Sequence, residues 1–254
     1  MKPDASAASQ QAGLSFLFAR GQRPDADAIA ALAGNTGGMV SFSISHRPAE
    51  HPYWLELLAL GLTFDVTGLA PGVEAATRPP QHAYALKDAA LSEMEAVMIR
   101  PGPHLSAGST LVPVIRAMAA VGCELAGLDG VQAVGWAPAG TLMARDYYLR
   151  AVGGWLRGGA FPGLGLTALR RGRGGAVRSE GLSFFVGHEI TLHSAPSESP
   201  AEASKFALRV IHHLVENGSY SSGSVIGPGG EPLHCEFTAS RSHLQITREA
   251  PAGN

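Results

Sequence analysis

The order in which the periodicities occur constrains this chain most. Segments that alternate apolar and polar residues are interleaved with segments of helical period, singly and in pairs, without a sustained β-α-β-α rhythm. In "MVSFSIS" (39–45), Val40, Phe42 and Ile44 share one face, as in a half-buried strand. "GLSFLFAR" (13–20), "LTFDVTG" (62–68), "EAVMIRPG" (95–102) and "VQAVGWAPAG" (131–140) also read as strands, as do the late segments "PLHCEFTAS" and "SHLQITRE". "LGLTALRR" and "GLSFFVG" read as a hairpin. Helical segments are expected at 24–34, 51–61, about 110–126, 145–159 and 199–218. Asp25 caps the first and Gly34 stops it. Ser109 caps the third, where Leu111, Ile115 and Met118 recur at helical spacing. The last, "SPAEASKFALRVIHHLVENG", carries the fullest punctuation: Ser199 as N-cap, Pro200 behind it, Glu202 completing a capping box, and Asn217-Gly218 as the stop. Its stripe of Phe206, Val210, Ile211 and Leu214 needs a surface to cover it, with His212 on the opposite side and His213 at the edge. This order implies an α+β fold, a mostly antiparallel mixed sheet packed with about four to five helices.

The expected organisation is one domain over 13–248, flanked by loose tails at 1–12 and 249–254. The likeness of "GLSFLF" (13–18) to "GLSFFV" (181–186) leaves two related lobes open as a subdivision, 13–128 and 129–248. The Pro/Gly-rich "LAPGVEAATRPPQ" (69–81) reads as a linker or surface loop.

Apolar residues make up 45% of the 254 and charged residues 16%, which suits a packed domain rather than a disordered chain. A net charge of -2 supplies no basic field for nucleic acid or an acidic membrane. The most apolar stretch, "GSTLVPVIRAMAAVGCELAG", is interrupted by Arg116 and Glu124, so no membrane span is expected. The N-terminus has no apolar core after Lys2, so no signal peptide is expected. Cys123 and Cys235 cannot build a disulfide framework or a four-thiolate zinc site. A reducing, cytoplasmic setting follows.

Motif chemistry is sparse. No phosphate-cradling Gly-x4-Gly-Lys loop, dinucleotide fingerprint or Gly-x-Ser-x-Gly elbow occurs. "GHEITLH" (187–193) resembles the start of a zinc motif, but His188 and His193 are five residues apart. On a helix that is about 140° of rotation at ~100° per residue, and on a strand it means opposite faces. No metal and no cofactor is expected. The segment reads as a strand, paired with "GLSFFV" through a turn at Gly187 and a solvated His188. Glu189 is the candidate acid or base, or else a residue paired with Arg178 or a backbone turn. Glu180 is its candidate partner and His188 a further candidate. Arg170, Arg171 and Arg173 read as a solvated hairpin tip, with an anion site as the alternative. Trp136, Tyr147 and Tyr148 are candidates to line a ligand cleft, although Tyr148, Val152 and Trp155 also fit a helical core stripe.

The C-terminal half resembles the bacterial family catalogued as domain of unknown function 4261. The resemblance spans roughly 95–240 and is carried by Gly181, Phe185, Gly187, Glu189, Asn217, Gly218, Ile226 and Gly227. That family often has Arg where this chain has His188. The resemblance implies a cytoplasmic bacterial protein with an adaptor or immunity-like role. The expected function is therefore non-catalytic binding of a protein partner or of a second copy. The alternative is a hydrolase-like enzyme using Glu189 with one or more histidines.

Overall fold

The computed structural model describes residues 12–34, 37–86, 93–193 and 198–248. The expected tails lie outside these residues except for Ala12, which is buried. The chain divides into two compact units, 1–159 and 160–254. Both mix helices with mainly antiparallel sheet, so the fold is α+β.

The first unit is built on an eight-stranded sheet. Its strands are β1 (Leu14–Ala19), β2 (Ser43–His46), β3 (Trp54–Ala59), β4 (Leu62–Thr67), β5 (His82–Tyr84), β6 (Met94–Pro101), β7 (Val131–Trp136) and β8 (Thr141–Ala144), in the order β2-β3-β4-β6-β1-β7-β8-β5. Only β5 and β8 run parallel. The helices are α1 (Ala26–Ala33), capped by Asp25 as expected, α2 (Val112–Leu125) and α3 (Arg145–Leu156). Apolar α2 sits close to β1 and α3, and Gly122 makes this possible. A Cβ there would lie 2.5 Å from the Tyr148 hydroxyl and 2.7 Å from Leu14 Cδ1. The Tyr148 hydroxyl donates to the Ala119 carbonyl at 3.1 Å, which satisfies a buried polar group. A smaller cluster of Leu17, Ala96, Ala133 and Leu142 is flanked by Ala75, Leu86 and Met94. Segment 69–81 is therefore more than a linker. Ala75 joins that cluster, and Arg23 donates to the Gly68 and Gly72 carbonyls while pairing with Glu95 at 2.8 Å.

The second unit is a six-stranded sheet of β9 (Ala168–Arg171), β10 (Val177–Glu180), β11 (Glu189–His193), β12 (Gly223–Ile226), β13 (Pro232–Phe237) and β14 (His243–Arg248). Its order is β12-β13-β14-β11-β10-β9, and only β11 and β14 are parallel. A four-residue helix α4 (Ser183–Val186) precedes β11, and α5 (Pro200–Asn217) follows it. The capping box at Ser199 and Glu202 is complete, and Gly218 ends α5. The stripe Phe206, Val210, Ile211 and Leu214 is buried, as are Ile190, Leu192, Leu233, Cys235, Leu244 and Ile246 on the sheet. Arg248, on the same face of β14 as Leu244 and Ile246, lies 3.8 Å from the Phe206 ring centroid, which places α5 over that face. Burying a stripe of four large apolar side chains contributes about 1.5–3 kcal/mol per side chain.

Several expectations are corrected. Segment 51–61 holds the strand Trp54–Ala59 between turns, not a helix. Leu55, Leu57 and Ala59 point inward, and the alternation is masked in the sequence by apolar Trp54 and Leu58 on the other face. A two-residue turn joins β3 to β4 with Leu60 at φ 51° and Gly61 at φ 77°, the handedness a tight hairpin needs. Ser109 does not cap α2. Leu111 occupies that position without a side-chain bond, and the Ser109 hydroxyl donates to the Ser106 carbonyl. Strand β2 covers only the end of the expected 39–45. The boundary at 128/129 is also wrong, because β7 pairs with β1 and belongs to the first sheet. Finally, "GLSFLF" and "GLSFFV" are not a repeat: the first is strand β1, the second a turn and α4.

Candidate functional site

The role of the "GHEITLH" stretch follows from where Glu189 points. It starts β11, which is a strand as expected, but its hairpin partner is not "GLSFFV". β11 pairs with β10 on one side and β14 on the other, and the hairpin is β9–β10. Segment 181–186 instead curls around the Glu189 carboxylate. Oε1 accepts from the backbone N–H of Gly181 at 2.9 Å and of Ser183 at 3.0 Å. Oε2 accepts from Leu182 N–H at 3.2 Å and from the Ser179 hydroxyl at 2.5 Å. Gly181 makes the turn possible with φ 84°. Three successive amides around a carboxylate satisfy donors that the start of a helix leaves unpaired. Of the alternatives for Glu189, the backbone turn is realised. Glu180 is not its partner, being tied to Arg170 at 2.6 Å.

His188 is buried at 4% exposure, which corrects its assignment as a solvated turn residue. Its Nδ1 donates to the Glu189 carbonyl at 3.1 Å, and Nε2 meets the Ser219 hydroxyl at 2.6 Å. The ring stands edge-on to Phe237 with centroids 5.0 Å apart. Burial holds its pKa below the ordinary 6.5, opposed by the Glu189 carbonyl and carboxylate and assisted by Arg241 and His243.

The aromatic candidates do not line a common cleft. Trp136 and Tyr148 are sealed in the first unit's core, as is Trp155. Tyr147 stacks on Tyr84 with centroids 5.8 Å apart. His212 accepts from Phe161 N–H at 3.2 Å, and His213 stacks on Tyr220. Among the described residues, no three His, Cys, Asp or Glu side chains gather as a metal site. No helix among them is long and apolar enough to cross a membrane.

A site the sequence reading did not assemble lies on the face of the second sheet opposite α5. The strand register sets Arg178 of β10 opposite Thr191 of β11, and Thr191 beside Gln245 of β14. His193, two residues beyond Thr191, shares that face. These four, with Arg171, Gly172 and Ala176, line a cleft of about 640 Å³. His193 Nε2 donates to Gln245 Oε1 at 2.8 Å, which leaves the Gln245 amide N–H groups to face elsewhere. Thr191 is 2% exposed and its hydroxyl has no hydrogen-bond partner among the described residues. A buried hydroxyl without a partner is uncommon, because it forfeits its hydration for nothing. Among the described residues, no carboxylate lines the cleft. Of the arginines read as a hairpin tip, Arg171 is among the lining residues, and Arg170, opposite Arg178 in the register, is held by Glu180.

The sequence signal for this cleft was the alternation of polar residues Glu189, Thr191 and His193. Which strand lay beside it was not legible, and the parallel pairing of β11 with β14 across about fifty residues is what brings Gln245 in. No family model matches the chain, and no curated protein or solved structure matches it.

Proposed function

We propose that this chain is a non-catalytic binding protein, adaptor-like or immunity-like, that receives an acidic group of a protein partner in the Arg171–Arg178–Thr191–Gln245 cleft. The observation that carries this reading is the saturation of Glu189. Both oxygens of Glu189, the acid or base of the hydrolase-like alternative, are taken by four donors that hold 179–183 in place. A general base needs a lone pair within reach of a substrate proton. The cleft, by contrast, offers donors and positive charge, with no carboxylate among the described residues that line it.

The proposed kinship with the domain of unknown function 4261 fits this reading. Gly181, Gly187 and Glu189 are among the residues that carry it, and here they shape the turn, end α4 and bind the turn's amides. Such a motif serves the fold.

The test is fluorescence anisotropy with labelled glutamate-rich and lysine-rich peptides, beside a screen of chromogenic esters. The glutamate-rich peptide should bind saturably, more weakly in high salt, and more weakly to Arg178→Ala. Turnover lost in a folded Glu189→Gln variant would overturn the proposal in favour of the hydrolase-like reading.

A further inference from the structure

Building on that reading of the cleft, we propose that the acidic group it takes is a phosphate monoester. Charge is the first reason. Arg171 and Arg178 are among the residues that line the cleft and no carboxylate of the described residues is, so its lining supplies two guanidinium groups; on this face Glu180 is bound by Arg170, and Glu236 lies beyond Gln245. A carboxylate balances one guanidinium, whereas a phosphate monoester carries about −1.5 to −2 near pH 7.

Donor geometry is the second reason. The Arg178–Thr191–Gln245 row spans three adjacent strands, which stand roughly 4.8 Å apart. Guanidinium, hydroxyl and amide therefore stand in one row on one face of the sheet, each from its own strand. Three donor groups at such spacing match the three acceptor oxygens of a phosphate better than the two coplanar oxygens of a carboxylate.

The third reason is Thr191 itself. A hydroxyl buried to 2% exposure, unpartnered and lining the cleft, acquires a partner when an oxyanion enters. Gln245 is already oriented, because His193 holds its carbonyl oxygen at 2.8 Å and turns its N–H groups away from that bond. The volume, about 640 Å³, admits the phosphate together with part of what carries it. On the protein-partner reading the carrier is a phosphorylated side chain; a small phosphorylated metabolite shares the phosphate chemistry, and its tighter binding would keep the phosphate assignment while overturning the protein partner.

Isothermal titration of the full chain tests this with four probes: inorganic phosphate, a short phosphoserine peptide, the same peptide with glutamate at that position, and glucose 6-phosphate. The phosphoserine peptide or glucose 6-phosphate should bind about ten-fold or more tightly than the glutamate peptide, and inorganic phosphate should compete. Whichever of those two binds better identifies the carrier. Arg171→Ala and Arg178→Ala should each weaken binding about ten-fold, as expected for loss of a charge-assisted hydrogen bond. Thr191→Val should weaken it several-fold while the melting temperature rises, a pairing that damage to the fold does not produce. Arg47→Ala, which removes an exposed arginine of the first unit paired with Asp27, should bind as the parent does. If the glutamate peptide binds as tightly as the phosphoserine peptide, the phosphate assignment is wrong and the acidic-partner reading stands. If no probe binds, or the arginine variants bind as the parent does, both are wrong.

Discussion

The Ser179 hydroxyl donates to the Glu189 carboxylate at 2.5 Å and accepts from Ile190 N–H at 2.8 Å, so one side chain ties the end of β10 to the start of β11. Ser179 is itself buried. The same carboxylate gathers the amides of 181–183, so strand pairing and the turn depend on each other. Glu189→Gln replaces one acceptor oxygen by a donor aimed at donors. It should cost about 2–3 kcal/mol, and Ser179→Ala about 1–2 kcal/mol. Urea melts of both variants and of the double variant check this. The double variant should lose less than the sum, because the two residues share one bond.

Thr191→Val should stabilise the unliganded protein by about 1 kcal/mol. The shape is kept and a buried hydroxyl without a partner is removed. Thermal melting in a buffer free of phosphate and sulfate is the measurement. A loss of stability would mean that the hydroxyl has a partner in solution.

Stability should fall with acid below about pH 6.5 through His188. Burial lowers its folded pKa below the unfolded value of 6.5. Between the two, the unfolded chain binds more protons than the folded one, so stability rises with pH there. The contribution is complete above 6.5 and is lost as the pH falls through the lowered folded value. Urea melts of the parent and His188→Gln at pH 7.5 and 5.5 check it. The variant should lose less stability over this interval, and equal losses would assign the effect elsewhere.

Leu60 holds a left-handed conformation at φ 51° while 69% exposed, so it carries turn strain without compensating burial. Leu60→Asn should stabilise by about 0.5–1 kcal/mol, since Asn tolerates that region and suits the turn before Gly61. Differential scanning calorimetry reads this directly.

Neither thiol should react in the folded protein. Both cysteines are free and buried. Burial, with Glu124 nearby, pushes the Cys123 thiol up to about 12, and burial pushes Cys235 up to about 11. The thiolate is the reactive form. A chromogenic thiol reagent should report two thiols only after denaturation, and prompt native labelling would contradict the packing of α2 or β13.

Local rules written in the sequence determined much of the fold. The Ser199–Glu202 box, Asn217-Gly218 and the stripe from Phe206 to Leu214 define α5 completely, because caps and amphipathic period act over a few residues. The alternations at β1, β4, β6 and β7 were legible for the same reason. Tertiary structure decided where two local preferences competed. "LSFF" is β-prone, yet it curls into α4 because a carboxylate from residue 189 collects its amides. "WLELLA" has enough apolar residues for a short buried helix, yet pairing with β4 and the Leu60-Gly61 turn make it a strand. The cleft depended on tertiary structure altogether. Arg178, Thr191 and Gln245 are separated by 13 and 54 residues, and the register of three strands sets them in one row. Strand register is a property of pairs of segments, set by how their buried faces fit, and no single segment encodes it.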